Sequence, residues 1–525
     1  MEELHQSTFP DFVIACAGLG SRMQEVNSDL HKALLPLRGK PILEHIVSSV
    51  PREHRLVFLL GHQSKQIRDF VELVFPDRLK IFVSVPDFAS EMSGTGVSLL
   101  AAGSELSQSF WYTPCDGIFS DSLTLVASNE FADSVYVGAP LDSVIDPSNY
   151  CLFRTDSNKI LDVIDKPQNF SSLDHSDMAV FTGLMFIKNK DLFFSEIIHG
   201  GHLNFTESIL KGSTVEVISY WRDLGHPSEY KREVQKNEVF DFSKPNEVTY
   251  QIDHRILKWW SDDSIPLKKA EKPKVLPDFF PLNIETKGQF LIYEKVPGST
   301  LYPKLSTQIF ENLLEWLENG FWLSQNIDLS DDLTSFYIDK SRKRIDLISN
   351  LLPYSLDHVY INNEGLRVEP RVLLEEFPWT EIVSNPIPTI IHGDLQFDNI
   401  ILKTGGGFSL IDWRPEFGKN LVFGDKYYDL AKLYGGMLID YSQIKKNQME
   451  FNLSDGTYSY SVNSCQNFRE ISSILEHYIH ERSYSWRKVR LITALIYLNM
   501  CPLHERPFAD ILFFKAFELL GEFFG

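Results

Sequence analysis

The sequence predicts two dissimilar domains. Residues 1–240 read as an α/β domain with a mixed, mostly parallel sheet between helices, and residues 241–525 as an α+β bilobal unit. Three observations carry this reading. At 525 residues the chain is too long for one hydrophobic core. In the first part, short β-branched runs alternate with helical stretches, as in a parallel sheet covered on both faces. Past a polar seam, a strand-rich stretch at 247–297 gives way to long helical stretches over 298–525.

The elements follow in order. "FVIACAG", "RLVFLLG", "LKIFVSV" and "FWYTPCD" are apolar runs of buried-strand length. "KPILEHIVSSV" and "SKQIRDFVELVF" between them have the apolar spacing of amphipathic helices. In such a fold ligands bind at the carboxyl ends of the strands. The seam "REVQKNEVFDFSKPNE", at 232–247, is polar and contains Pro245. "VTYQIDHRILKWW" opens the second part, and "FLIYEKVPGSTLY" is a strand followed by a glycine-containing turn. From "STQIFENLLEWLENGFWL" onward the pattern is helical, broken by the strand-like "TIIHGDL" and "FSLIDWR". The tail "FADILFFKAFELLGEFFG" has helical spacing and no basic face, so it is expected to pack as a helix and not to lie on a membrane.

Bulk properties narrow the class. The 43% hydrophobic and 23% charged content is that of a globular chain. There is no apolar run long enough for a membrane span, and the start, "MEELHQSTFPDF", is acidic and polar. Five scattered cysteines without a CxxC pair suit reduced thiols, so a cytoplasmic location is expected. A net charge of −21 disfavours nucleic acid and anionic membrane as partners. Anionic small molecules must then be held by local cations, backbone amides and metal ions. A homo-oligomer is compatible with all of this.

"IACAGLGSRM" places Ala17, Gly18, Gly20, Ser21 and Arg22 directly after a strand. Glycines there let backbone amides approach a phosphate. Lys32 follows ten residues after Arg22, and two cations beside a glycine loop suit a triphosphate and a pyrophosphate leaving group. A dinucleotide fingerprint would need a third glycine where Met23 stands. These residues resemble the sugar-1-phosphate nucleotidyltransferases, with their G-x-G-[ST]-R-[ML] loop, K-x-L-x-P and G-K-P-[IL] elements. The resemblance continues through about residue 235. "SGTGVSLLAA" (Gly94, Thr95, Gly96) is similar to the turn that binds base and sugar. "YTPCDGIF" puts Asp116 at a metal-binding aspartate. "VIDKPQ" puts Lys166 on the sugar phosphate, with Asp165 where glutamate is usual. "FTGLMFI" puts Gly183 in the pocket strand, with Met185 in place of an aromatic. "YWRDLGHPSEY" makes Asp223 a second metal ligand. The resemblance implies a Rossmann-like nucleotidyltransferase domain that binds Mg²⁺ and takes CTP, UTP, GTP or dTTP.

"HGDLQFDNI" and "LIDWR" form a second constellation. Asp394 precedes Asn399 by five residues, and Asp412 lies thirteen further on, at the end of an apolar strand. One aspartate that takes a hydroxyl proton, with an asparagine and a second aspartate holding Mg²⁺ on ATP phosphates, is the requirement of phosphoryl transfer. His-Gly-Asp in place of His-Arg-Asp, and Asp-Trp in place of Asp-Phe-Gly, resemble the aminoglycoside phosphotransferase and choline kinase superfamily, which has a protein-kinase-like fold. That resemblance implies Lys258 on the ATP phosphates with Glu271 as its partner, Tyr293 in the hinge beside adenine, and His392, Asp425 and Asp429 as orienting or capping groups. The small lobe has no clear glycine-rich loop.

Together the resemblances imply a bifunctional enzyme. A kinase half would make a phosphate ester, and a nucleotidyltransferase half would condense it with an NTP. Two acceptors stay open. One is a sugar, giving a nucleotide sugar for surface polysaccharide. The other is choline or a related amino alcohol, giving a cytidylylated product. A third reading leaves one half as an inactive binding module.

Overall fold

The computed structural model describes residues 9–86, 88–90, 94–119, 131–199, 210–236 and 246–524. Their packing forms two units. The first holds the described residues up to 236, together with 246–263 and 287–292; the second holds 264–286 and everything from 293. Residues 237–245, in the expected seam, lie outside the described residues, as do 91–93 before the expected Gly94 turn.

The first unit is built on β1 (Asp11–Cys16), β2 (Leu56–Leu60), β3 (Lys80–Ser84), β4 (Phe110–Pro114), β5 (Gly117–Phe119), β6 (Val135–Ala139), β7 (Cys151–Asp156), β8 (Lys159–Asp165), β9 (Met178–Ile187), β10 (Thr214–Val217) and β11 (Trp221–Asp223). The main sheet has the order β3-β2-β1-β4-β9-β6-β10-β8-β7, and β5 pairs with β11 apart from it. Between the strands run α1 (Ile42–Ser49), α2 (Ser64–Val74), α3 (Thr95–Ala101), α4 (Lys190–His199) and α5 (Pro227–Gln235). The apolar runs of β1, β2 and β4 are buried because helices cover both faces. The expected mostly parallel sheet needs correction. Of the described pairings in it, four are parallel and five antiparallel. Parallel pairing holds for β1 to β4, where helices provide the crossovers. The β7–β8 connection is a tight turn at Ser157, whose φ is +55°, and a turn that short joins only antiparallel strands.

β12 (Glu247–Ile252), β13 (Arg255–Trp260) and β14 (Phe290–Glu294) lie side by side in a second sheet. Sequence patterning assigns these strands to the second domain, but β12, β13 and residues 287–292 pack with the first unit. The alternation of β12 buries Val248, Tyr250 and Ile252 in one apolar cluster with Phe70, Leu34 and Ile46. An apolar strand face must be covered, and here the cover comes from the α1 and α2 side. The Tyr250 hydroxyl donates to the Leu34 carbonyl, Gln251 N donates to Gly39 O at 2.8 Å, and Lys287 reaches Glu72 at 2.7 Å.

The second unit contains α6 (Ser264–Val275), α7 (Lys340–Leu351), β15 (Pro388–Ile390), β16 (Ile400–Lys403), β17 (Phe408–Leu410), β18 (Phe423–Asp425), α8 (Lys426–Leu438), α9 (Trp486–Met500) and α10 (Phe508–Phe524). β16 and β17 form a hairpin with Ile400 opposite Leu410. α8 is buried from Lys426 to Met437 and packs on α9, which packs in turn on α10. The C-terminal helix is thus a core element, as its spacing predicts. Among the described residues no helix is long and apolar enough to cross a membrane.

Tyr250→Ala is expected to lower the thermal transition of the first unit, at a cost of about 3–5 kcal/mol, and Tyr250→Phe to cost about 1 kcal/mol. Calorimetry resolving the two units checks this; a first transition unmoved by Tyr250→Ala would show that β12 does not support that unit.

Candidate active sites

In the first unit the parallel pairing of β1 with β4 brings two loops to one edge of the sheet. The turn after β1 carries Ala17, Gly18, Gly20, Ser21 and Arg22, and Gly18 is exposed with open space about its backbone. The loop after β4 carries Asp116. Lys32 donates to Asp116 Oδ2 at 2.6 Å. β11 pairs with β5, setting Asp223 opposite Gly117 and beside Asp116. The Tyr150 hydroxyl donates to Asp223 Oδ2 at 2.7 Å, and Gly225 N donates to Oδ1 at 2.9 Å. Arg22 is bonded to the His226 ring, whose Nε2 lies 3.9 Å from Asp223.

The charges are matched with care. Burial pushes the Asp116 carboxyl up, but the Lys32 ammonium outweighs it and holds Asp116 below its ordinary value. Burial and then the Asp116 charge push Asp223 up to about 6. Lys32 is half-buried, yet Asp116 outweighs that burial and raises its pKa, so its charge persists. Burial and Arg22 lower His226, leaving a neutral ring to accept from the guanidinium. Two converging carboxylates fit a hard divalent cation such as Mg²⁺. Gly225 supports the fit: a Cβ there would lie 2.5 Å from Asp116 Oδ2 and 3.2 Å from Asp223 Oδ1, so only glycine leaves the space beside both acids. Among the described residues no group of three or more His, Cys, Asp or Glu forms a metal cage, so phosphate oxygens would complete such a shell.

Thr95 begins α3 behind Gly94, with Gly96 in its first turn, and its side chain bonds Tyr112 of β4. Gly183 sits where β9 slips register, φ +82°, against Pro114. Lys166 follows β8 with a φ of +46°, is exposed, and places its charge near His226. Lys258 is buried on β13, 3.6 Å from Glu247. Its expected partner Glu271 instead pairs with Lys274 at 2.6 Å and is exposed, because α6 turns that side of its helix to solvent.

The second unit joins the loop 392–399 to the loop 411–414 through backbone hydrogen bonds. Ile411 N donates to Asn399 O at 2.9 Å, and Arg414 N to His392 O at 2.9 Å. His392 is buried. Its Nε2 bonds Ile411 O at 2.8 Å, and its Nδ1 accepts from Asp394 N at 3.1 Å. Asn399 Nδ2 donates to Asp394 O at 2.8 Å and to Asp394 Oδ2 at 3.2 Å. Asp412 follows β17 with a φ of +57°, a conformation aspartate tolerates. Asp429 accepts from His392 N at 2.8 Å and Gly393 N at 2.7 Å, which makes it the loop's anchor, and Asp425 caps α8. Tyr293 is buried with its ring 6.5 Å from that of Trp413. Asp394, Asn399 and Asp412, which sequence spacing groups, thus occupy two hydrogen-bonded segments with the oxygen donors that Mg²⁺ takes.

Sequence reasoning missed four contributors. Tyr150 steadies Asp223, and Lys432 bonds Asp394 Oδ1 at 2.7 Å. Burial raises Asp394, but Lys432 and then Arg414 hold it well below the usual carboxylate range. Lys269 bonds the Trp413 carbonyl, and Lys272 bonds Arg414 O at 2.8 Å; burial lowers Lys272 to about 7. Asp429 and Lys432 stand three apart on α8 and so share one face, a signal the sequence does carry.

The family model of the MobA-like NTP transferase domain matches residues 12–137. The bifunctional protein GlmU of Methanococcus maripaludis is 29% identical over 228 residues, 41% of this chain and 52% of that protein. GlmU of Methanocaldococcus jannaschii is 28% identical over 227 residues, with the same shares. The chain therefore spans about half the length of the curated relatives it matches. A solved inositol-1-phosphate CTP transferase from T. maritima has a TM-score of 0.36 at 16% identity, covering 43% of this chain and 96% of that one. A UDP-glucose pyrophosphorylase complexed with UDP-glucose has a TM-score of 0.36 at 14% identity, covering 43% and 98%. The N-terminal part of the chain carries a MobA-like NTP transferase domain of α/β fold.

The buried histidines make stability pH-dependent. Burial lowers His31 and His392 from 6.5 to about 3, and each ring spends its lone pair on a backbone N–H. The neutral form is the folded one, so this stability is complete above pH 6.5 and is lost as pH falls toward 3. Each ring contributes a slope of up to about 1.4 kcal/mol per pH unit. His392→Gln is expected to flatten that slope for the second unit in urea titrations at pH 7, 6 and 5; an unchanged slope would mean that His392 is not held neutral.

Proposed function

We propose that the chain is a bifunctional enzyme in which the first unit transfers a nucleotidyl group from an NTP to a phosphate monoester and the second makes that ester from ATP. The observation that carries the first activity is the Lys32–Asp116 pair beside Asp223, at the edge of a domain that matches an NTP transferase model. An oxygen of the monoester attacks the α-phosphorus, the α–β bridging bond breaks, and pyrophosphate leaves. Arg22 and Lys32 balance its growing charge, and the amides of Gly18 and Gly20 approach the phosphates. Lys166 and Thr95 orient the second substrate. Asp116 and Asp223 would hold Mg²⁺, which neutralises charge shared between the phosphates.

The kinase reading rests on Asp394, Asn399 and Asp412 in one hydrogen-bonded loop pair. The acceptor hydroxyl gives its proton to Asp394 as its oxygen bonds the γ-phosphorus, and ADP leaves. Lys432 keeps Asp394 ionised and fixed until that proton arrives. Asn399 and Asp412 would hold Mg²⁺ on the ATP phosphates, with Tyr293 beside the adenine. The resemblance of "SGTGVSLL", "DKP" and "RDLGHPSEY" to sugar-1-phosphate transferases favours a sugar 1-phosphate as the ester, hence a free sugar as the kinase substrate and a nucleotide sugar for surface polysaccharide as the product.

Pyrophosphate release from CTP, UTP, GTP or dTTP against sugar 1-phosphates, phosphocholine and phosphoethanolamine tests this. Asp116→Ala is expected to cost about 10²–10³-fold in pyrophosphate release and to spare ADP formation. Asp394→Ala is expected to cost about 10²–10⁴-fold in ADP formation and to spare pyrophosphate release. One substitution silencing both activities in folded protein would refute two separate sites, and release only with CTP and phosphocholine would replace the sugar with an amino alcohol.

A further inference from the structure

Around Asp394 the local charge is opposite to that of the chain. Lys432 bonds its carboxylate at 2.7 Å. Arg414, two residues past Asp412, donates from Nε to Gly393 O at 3.2 Å and lays its guanidinium 5.2 Å over the Phe336 ring and 5.8 Å over that of Tyr428. The Lys340 ammonium stands 3.7 Å over the same Phe336 ring. Arg344, one turn along α7, faces the same way and bonds the Asn499 carbonyl at 2.8 Å. Burial lowers Lys340 far below its ordinary value, and the positive charges of Arg414, Arg344 and Lys432 lower it further, with Asp394 the opposing charge. Lys432, Arg414 and Lys340 thus face the Asp394 carboxylate, and Arg344 stands beside Arg414. Among the described residues, Lys340, Arg344 and Arg414 form no ion pair. The Asp394 side chain is 32% exposed, so the cluster opens to solvent beside the group that would meet the acceptor hydroxyl.

Half-buried like charges repel strongly, and a chain with 71 acidic residues has acids in plenty to pair with them. Their gathering beside Asp394 without a carboxylate of their own suits an anionic ligand. The nucleotide phosphates are served by Asn399 and Asp412, whereas Lys340 and Arg344 come from a helix that carries none of those groups. Resting on the phosphotransferase reading, we infer that the acceptor of the second unit is itself an anion: a hydroxyl compound bearing a carboxylate or phosphate, whose charge Lys340, Arg344 and Arg414 hold while Asp394 receives the hydroxyl proton. A cationic acceptor such as choline would be repelled, and the aromatic faces of Phe336 and Tyr428 already carry protein cations.

The test is ADP release by the full chain with MgATP and matched acceptors: neutral hexoses and N-acetylhexosamines, the corresponding uronic acids, the corresponding 6-phosphates, and choline. Turnover confined to the acidic members is expected, and the uronate and phosphate arms name the anion. Lys340→Gln is expected to raise the acceptor KM at least tenfold, with the ATP KM within twofold; Lys340→Arg should restore most of it, and added salt should raise the acceptor KM of the unaltered protein. Turnover of a neutral sugar or choline as fast as the acidic acceptors would overturn the inference and leave the kinase reading standing. So would a Lys340→Gln effect on the ATP KM instead. ADP release with no acceptor in the panel would overturn both.

Discussion

Each unit is organised around an acid held against an ammonium: Lys32 on Asp116 in the first, Lys432 on Asp394 in the second. Taking both charges from water costs several kcal/mol, and only close pairing with further hydrogen bonds offsets it. The surrounding structure supplies those bonds. Asn399 donates to the Asp394 carboxylate, and the loop carrying it hangs on Asp429. Asp223, the neighbour of Asp116, is held by Tyr150 and the amide of Gly225. Removing either ammonium would leave a half-buried acid without its partner charge, so the pairs constrain the fold and the chemistry together.

The two units solve a shared problem in the same way. On the proposed function, a protein of net charge −21 has to hold polyanionic substrates against its own field. In both places it gathers local cations and places a buried neutral histidine beneath them. His31 ties the end of β1 to the segment carrying Lys32, and His392 ties Asp394 to the strand before Asp412. A charged ring would break the bond its lone pair accepts, so burial of the ring keeps the loop closed. The first unit sets Lys32 against Asp116, with Asp223 and the Arg22–His226 pair alongside. The second sets Lys340, Arg344 and Arg414 where an acceptor would lie.

The strands at 247–260 show how packing can cross a boundary that pattern suggests. Their alternation leaves one apolar face, and a strand hairpin cannot keep such a face in water. The first unit covers it with the residues around Phe70 and Leu34. Lys258 is therefore buried in the first unit beside Glu247, although its place in the order of motifs ties it to the second.

Local pattern carried much of this protein. The strands β1 to β4, the helices α1 and α2 and the apolar C-terminal helix were legible from periodicity, because their side chains meet a core that any packed solution must cover. The spacing of Gly18, Gly20, Arg22 and Lys32, and of Asp394, Asn399 and Asp412, named the charged groups, because that chemistry demands those residue types close together in the chain. Tertiary structure alone decided which carboxylate each ammonium meets. Lys32 and Asp116 are 84 residues apart, and Tyr150 and Asp223 73 apart, so no local pattern joins them. It also decided the antiparallel half of the main sheet, the unit on which β12 docks, and the convergence of Lys340 and Arg414 on one aromatic ring. These depend on which faces remain to be covered once the local elements have formed, and that is a property of the whole packed chain.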